Sequence, residues 1–337
     1  MSLRSSDFTV IASGLGYPEG PVAMADGSIV LVELQAGTLT RIAPDGTRSV
    51  IAALGGSPNG VAVGPDGRFY VCNSGGFNFV YFSMAGVPSG TKTPGSICLT
   101  TDQPPSYTGG SIQWVDGKTG QFGTLYDKFD AGKGSLLPLK APDDLVFDNT
   151  GGFWFTDWGQ SRPRERDITG VFYARADGSQ IKELIFPLNA PNGIALSPDG
   201  SRLYVAETYT RRVLYWALSA PGTLGQPAGA PSLLTAHLPR QGLLDSMKVD
   251  VEGNIYVATL LPEGNIPASN GGITVISPAG EVLEFIETAI GDTFDPLPSN
   301  LCFGGPDRKT AFITCGGSGR LVSCRMQIAG LAPAWSG

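Results

Sequence analysis

The sequence predicts an all-β protein, a six-bladed β-propeller. Three observations carry this reading. One ten-residue phrase recurs six times along the 337 residues. Each copy is followed by further short apolar runs bounded by Gly, Pro and Asp. No stretch sustains a 3.6-residue apolar period. With 47 Gly, 26 Pro and only 16% charged residues, the composition is that of a turn-rich β protein.

The clearest copy is "PNGIALSPDG" from Pro191. The others are "PEGPVAMADG" from Pro18, "PNGVAVGPDG" from Pro58, "PDDLVFDNTG" from Pro142, "LDSMKVDVEG" from Leu244 and "PSNLCFGGPD" from Pro298. Each reads as a strand and a tight turn, and a second strand follows: "SIVLVE", "RFYVCN", "GFWFTD", "SRLYVAE", "NIYVAT" and "KTAFIT". A second hairpin completes several copies, as in "GVFYARADGSQIKELI". Four strands in about 40–50 residues is the size of a propeller blade. The whole chain, 1–337, is therefore read as one propeller domain.

Repeat starts lie 40, 84, 49, 53 and 54 residues apart. The long interval holds an insert over about residues 77–108, read as a long loop with some β content, either a cover for the channel mouth or decoration. A propeller closes when one blade takes strands from both ends of the chain. "FTVIA" (Phe8 to Ala12) and "RLVSCRMQI" (Arg320 to Ile328) are expected to share the last blade.

The second position of the phrase is Glu19, Asn59, Asp143, Asn192, Asp245 and Ser299, an oxygen-bearing side chain every time. Asn and Asp there are also ordinary turn formers, but Glu19 is not. In a propeller the first strand of each blade lines the channel, so these positions form one collar at one mouth. Converging buried carboxylates cost several kcal/mol each, of the order usual for unpaired buried ions, unless their pKa values rise or a cation binds. Lys248, three residues after Asp245, offsets one of them at most. The donors on offer are oxygens, which favours Ca²⁺, then Mg²⁺ or Mn²⁺, with Zn²⁺ permitted. His237, the single histidine, lies outside the collar and is assigned a structural role.

"YPEGP", "APDDLVFD", "GGFWFTD", "APNGIALSPDGSRLYVAE", "LLDSMKVDVEGNIYVA" and "LPSNLCFGGPDRKTAFIT" resemble the SMP-30/gluconolactonase/luciferin-regenerating-enzyme-like family, in order and over nearly the whole chain. The resemblance implies a six-bladed propeller with a divalent metal in the channel, Glu19, Asn192 and Asp245 as ligands, and Asp143 as a further ligand or substrate contact. "PDDL" and "LDSM" look like the Drp35-type lactonase branch, where a second, structural Ca²⁺ uses the residue matching Asp144. Two departures stand out. "LKAPDD" replaces the Arg-x-Asn motif of the sugar-lactone hydrolases, and one histidine cannot form the paraoxonase-type dyad.

The expected function is metal-assisted opening of a lactone, a small-molecule cyclic ester. Asp245 is the expected general base, and Asn59 and Asp143 orient water or substrate. Asn73, Trp158, Tyr209 and Thr259 shape the pocket. Three alternatives share the fold: an organophosphate or aryl-ester hydrolase with Asp245 or Asp143 as nucleophile, a strictosidine-synthase-like condensing enzyme, and a non-catalytic binding platform. The condensing enzyme needs a glutamate base on a late blade, which "LPSNLCFG" does not offer.

Composition excludes other classes. A net charge of −7 argues against nucleic acid and against an anionic membrane surface. The first residues lack the apolar core of a signal peptide and no 18-residue apolar stretch exists, so the reading is cytoplasmic. Five cysteines without metal-type spacing read as small buried hydrophobes. Oligomeric state is not encoded in any diagnostic patch.

Overall fold

The computed structural model describes residues 7–82, 91–93, 95–132, 134–225, 231–235, 238, 242–260, 271–290, 293–295 and 297–336. Six antiparallel sheets of four principal strands each make six blades of a β-propeller. Their innermost strands are Pro18–Ala23, Pro58–Val63, Pro142–Phe147, Pro191–Leu196, Leu243–Val249 and Pro298–Gly304. Each packs against the next, and the last returns to the first, which closes the ring. These are the six copies of the repeated phrase.

The sixth blade is closed by the chain's beginning. Thr9–Ala12 runs antiparallel to Arg320–Arg325, with Thr9 opposite Ser323. The expected sharing of one blade by the two ends is therefore observed. It ties the chain's two ends together with a hydrogen-bonded clasp.

Apolar residues are buried where neighbouring blades meet. Second strands such as Ile29–Glu33 and Phe69–Asn73 are buried along their whole length, because a blade lies on either side. Among the described residues, six hydrophobic clusters fill the six seams. Trp154, Tyr173, Leu203 and Trp216 pack between blades 3 and 4, and Tyr256, Leu301 and Phe303 between blades 5 and 6. All five cysteines are buried and free. Burial alone raises the Cys72 thiol well above its ordinary value, with nearby Asp144, Asp143 and Asp157 adding to the effect, which suits a packing residue.

The Asp-containing turns explain where much of the acidic composition goes. Asp26, Asp66, Asp199 and Asp307 each accept the backbone N–H two residues on, at 2.9–3.1 Å. Hydrogen bonds from Ser197 and Ser201 hold the Asp199 carboxyl down at about 2.

The insert lies across one mouth of the channel. Phe79–Phe82 pairs with Ile97–Thr100 as a two-stranded ribbon. It leaves blade 2 and reaches blade 6, where the Cys98 N–H donates to the Gly317 carbonyl at 2.8 Å. The Phe79 ring meets Tyr17 of the first blade. The described part of the insert contributes Phe77, Leu99 and Thr100 to the channel cavity. Its residues 83–90 and 94, like His237, lie outside the described residues.

On the opposite face the C-terminal tail crosses the ring. Leu331 N–H bonds to Val249 carbonyl at 2.9 Å, and Trp335 Nε1 donates to the Asp148 carbonyl at 3.0 Å. Among the described residues no helix is long and apolar enough to cross a membrane.

Candidate metal centre and active site

Each innermost strand carries a β-bulge at the start of the repeated phrase. The extra residue breaks strict alternation, and bulges re-aim side chains near sites. Here the second-position residues turn towards the channel. Glu19, Asn59, Asp143, Asn192 and Asp245 all line one cavity of about 100 Å³. Each is at least nine-tenths buried. Ser299, the sixth, is buried instead against blade 1, where its hydroxyl donates to the Pro18 carbonyl at 3.1 Å.

Third-position residues serve the ring. A Cβ on Gly60 would lie 2.5 Å from the Asp143 carbonyl oxygen, and one on Gly193 would lie 2.6 Å from that of Asp245. Glycine lets neighbouring inner strands approach that closely. Where the third residue is Asn300, its amide donates to Glu19 Oε2 at 2.9 Å. Where it is Asp144, the carboxylate meets Lys248 Nζ at 3.3 Å. Lys248 thus offsets Asp144, which is outside the cavity lining.

The collar is short of hydrogen-bond donors. Asn59 Nδ2 donates to Asp143 Oδ2 at 2.8 Å, and the Asn192 side chain hydrogen-bonds Asp245. Asn59 Oδ1, Asp143 Oδ1 and Asn192 Oδ1 are buried without any partner. An orphaned buried acceptor costs about 1–3 kcal/mol. Burial pushes Glu19 up to about 7, and the Asp144 charge adds to this against hydrogen bonds from Gly20 and Asn300. Burial raises Asp143 and Asp245 well above the carboxylate range, and each is raised further by the other collar charges.

Three unpartnered oxygens beside strained carboxylates fit one hard cation. Carbonyl-type and carboxylate oxygens are what Ca²⁺ accepts in flexible geometry. Among the described residues no three acidic, thiol or imidazole groups cluster as a ready cage. The donor set is instead mixed, with amides from Asn59 and Asn192 beside the carboxylates.

Trp158 and Tyr209 line the cavity. Their rings stand 5.9 Å apart. Arg166 covers both, its guanidinium 3.7 Å from the Trp158 ring and 4.9 Å from that of Tyr209.

Asn73 and Thr259 do not line it, which corrects the sequence reading. Both lie near the end of a second strand, opposite the first residue of the repeated phrase. Asn73 donates to the Gly55 carbonyl and Gln113, and accepts from Ser57 and Gly75. Thr259 is tied to Val257 and Thr274. The equivalent residues of other blades show what this position does. Glu33 accepts from Gly16 N–H at 2.8 Å, Asp157 from Lys140 and Ala141 at 2.7 Å, and Glu207 from Asn189 at 2.8 Å. The side chain clamps the loop that delivers the collar residue.

The wall of the cavity uses positions the sequence reading passed over. The residue before the repeated phrase supplies Tyr17, Leu243 and Leu297, and the residue after the one paired with the phrase's first position supplies Leu34, Trp158, Thr208 and Leu260. Both offsets are constant in the repeat, so aligning them would have found the wall. Phe77, Leu99 and Thr100 of the insert complete it; no repeat position announces those.

Residues 17–317 match the family model described as SMP-30/Gluconolactonase/LRE-like region. A gluconolactonase of Zymomonas mobilis is 28% identical over 336 residues, covering 92% of this chain and 79% of that protein. A lactonase drp35 of Staphylococcus epidermidis is 30% identical, covering 69% of this chain and 60% of that protein. The solved structure of a Xanthomonas campestris gluconolactonase superposes with a TM-score of 0.67 at 22% identity, covering 94% of this chain and 89% of that one.

Proposed function

Because the chain belongs to the SMP-30/gluconolactonase/LRE-like family, we propose that it is a metal-dependent lactonase acting at the collar. The observation that carries the reading is the set of three partnerless buried oxygens on Asn59, Asp143 and Asn192 beside Glu19 and Asp245. Glu19, Asn192 and Asp245 would hold one divalent cation, Ca²⁺ by preference, with Asp143 as a fourth contact. Bound there, the cation would supply a Lewis acid for the lactone carbonyl oxygen.

The remaining work falls to the chain. Asp245 takes a proton from the attacking water with the carboxylate oxygen it does not offer to the cation. The water oxygen bonds to the carbonyl carbon, the ring C–O bond breaks, and the proton passes to the departing alkoxide. The product is the open hydroxy acid. Asn59 and Asp143, joined at 2.8 Å, orient the water or the substrate. Trp158 and Tyr209 hold the lactone ring against the collar, and the insert over the mouth restricts solvent.

The test is pH-indicator hydrolysis of a lactone panel before and after chelation, with add-back of Ca²⁺, Mg²⁺, Mn²⁺ and Zn²⁺. Loss on chelation and recovery with one ion is the expected result. Absence of turnover in every state, with an ion still bound, would make the collar a structural staple.

A further inference from the structure

Resting on the lactonase reading, we infer that the substrate is a lactone carrying an alkyl or aryl substituent, and that polyhydroxylated sugar lactones are rejected. The polar atoms of the cavity are concentrated in the collar. The wall around it is apolar: Leu34, Phe77, Leu99, Leu243, Leu260 and Leu297, supplied by blade 1, the insert, blade 5 and the approach to blade 6.

The wall carries few polar groups, and several of them bond to one another. Thr208 Oγ1 accepts from Trp158 Nε1 at 3.2 Å. Tyr17 is hydrogen-bonded to Thr100. Arg166 is stacked over the Trp158 and Tyr209 rings; its Nη groups donate to Ser161 Oγ at 2.6 Å and to the Trp158 carbonyl, and only its buried Nε is left without a partner.

A lactone ester can satisfy the collar with its carbonyl and still present its substituents to leucine and phenylalanine. A sugar lactone would press several hydroxyls against the same side chains. Each hydroxyl buried without a partner lowers affinity roughly ten-fold. Each methylene placed there instead gains roughly four-fold. Discrimination therefore comes from the wall, and the collar is indifferent to it.

The experiment compares kcat/KM of the metal-loaded protein for two six-membered lactones, one with an alkyl chain and glucono-1,5-lactone, each normalised to its hydroxide-catalysed rate. The alkyl lactone is expected to lead by about 100-fold or more. Leu99→Asn, in the partly exposed insert strand, is expected to cut that preference by about ten-fold. Calorimetric binding of the two corresponding lactams, which do not turn over, gives a reading independent of hydrolysis.

Equal or better turnover of the sugar lactone overturns the inference and leaves the lactonase reading standing. No turnover of either lactone, with tighter binding of the alkyl lactam, overturns the lactonase reading and keeps the wall's preference. No turnover and no selective binding overturns both.

Discussion

Asn59 Nδ2 donates to Asp143 Oδ2 at 2.8 Å across the seam between blades 2 and 3, and each side chain is left with one buried oxygen that has no partner. The pair is spent on one side and open on the other. Leaving two such acceptors dry costs about 2–6 kcal/mol in the metal-free protein. Ca²⁺ is therefore expected to raise the melting temperature of the chelated protein. In Asn59→Leu the gain should shrink. Scanning calorimetry with and without Ca²⁺ measures both.

Glu19 should make the metal-free protein sensitive to pH. Its folded pKa is raised to about 7, so its contribution is fully present below the unfolded value near 4.5 and is lost as pH rises through 7. The loss amounts to about 3 kcal/mol. Chelated protein should melt lower at pH 8 than at pH 5. The slope should flatten in Glu19→Gln, and denaturant titrations of both proteins at the two pH values check this. An unchanged slope in the variant would remove Glu19 from the account.

Lys248 and Asp144 make an ion pair at 3.3 Å between blades 5 and 3. The Lys248 side chain is about one-third exposed while Asp144 is buried, so Lys248→Met is expected to cost about 1–3 kcal/mol, discounted for solvent on the lysine side. With the ammonium gone, Asp144 becomes open to a second cation. Equilibrium dialysis with ⁴⁵Ca should find one ion per chain in the wild type and a second, weaker one in the variant.

Asp157 accepts three backbone N–H groups, from Lys140, Ala141 and Gly159. Asp157→Ala leaves all three without an acceptor and frees the loop that presents Asp143. The expected cost is about 3–5 kcal/mol of stability, together with weaker Ca²⁺ binding, although Asp157 is outside the cavity lining. Asp157→Asn, which keeps an acceptor oxygen, should lose less on both counts.

If Asp245 acts as a base, the solvent oxygen goes directly to substrate. Single turnover in oxygen-18 water should label the hydroxy acid and leave Asp245 unlabelled by mass spectrometry. Label in the Asp245 carboxylate would establish attack by the side chain and move the reading towards covalent chemistry.

Much of this was legible in the sequence because the repeat is legible. A phrase that recurs six times carries its own alignment, and equivalent letters become equivalent places around an axis. That is why Glu19, Asn59, Asp143, Asn192 and Asp245 fall in one column of the repeat, and they line one cavity. Asn73 and Thr259 failed for the same reason that the others succeeded. Their shared position is also constant in the repeat, but its constancy serves loop clamping, which polarity alone does not distinguish from binding. Ser299 sits in the right column yet hydrogen-bonds to Pro18 across the closing seam. Phe77 and Leu99 depend on where the insert folds over the mouth, a tertiary fact with no local signature.

One cation is proposed to sit on the collar oxygens of Glu19, Asn192 and Asp245, with Asp143 as a fourth contact. Titrating the chelated protein with Ca²⁺ in a calorimeter, beside Asn192→Leu, tests it most directly. The account predicts saturation at one ion per chain in the wild type and at least ten-fold weaker binding in the variant, whose apolar side chain fills the same buried space. Equal affinity in the two proteins, or no binding to either, would contradict it.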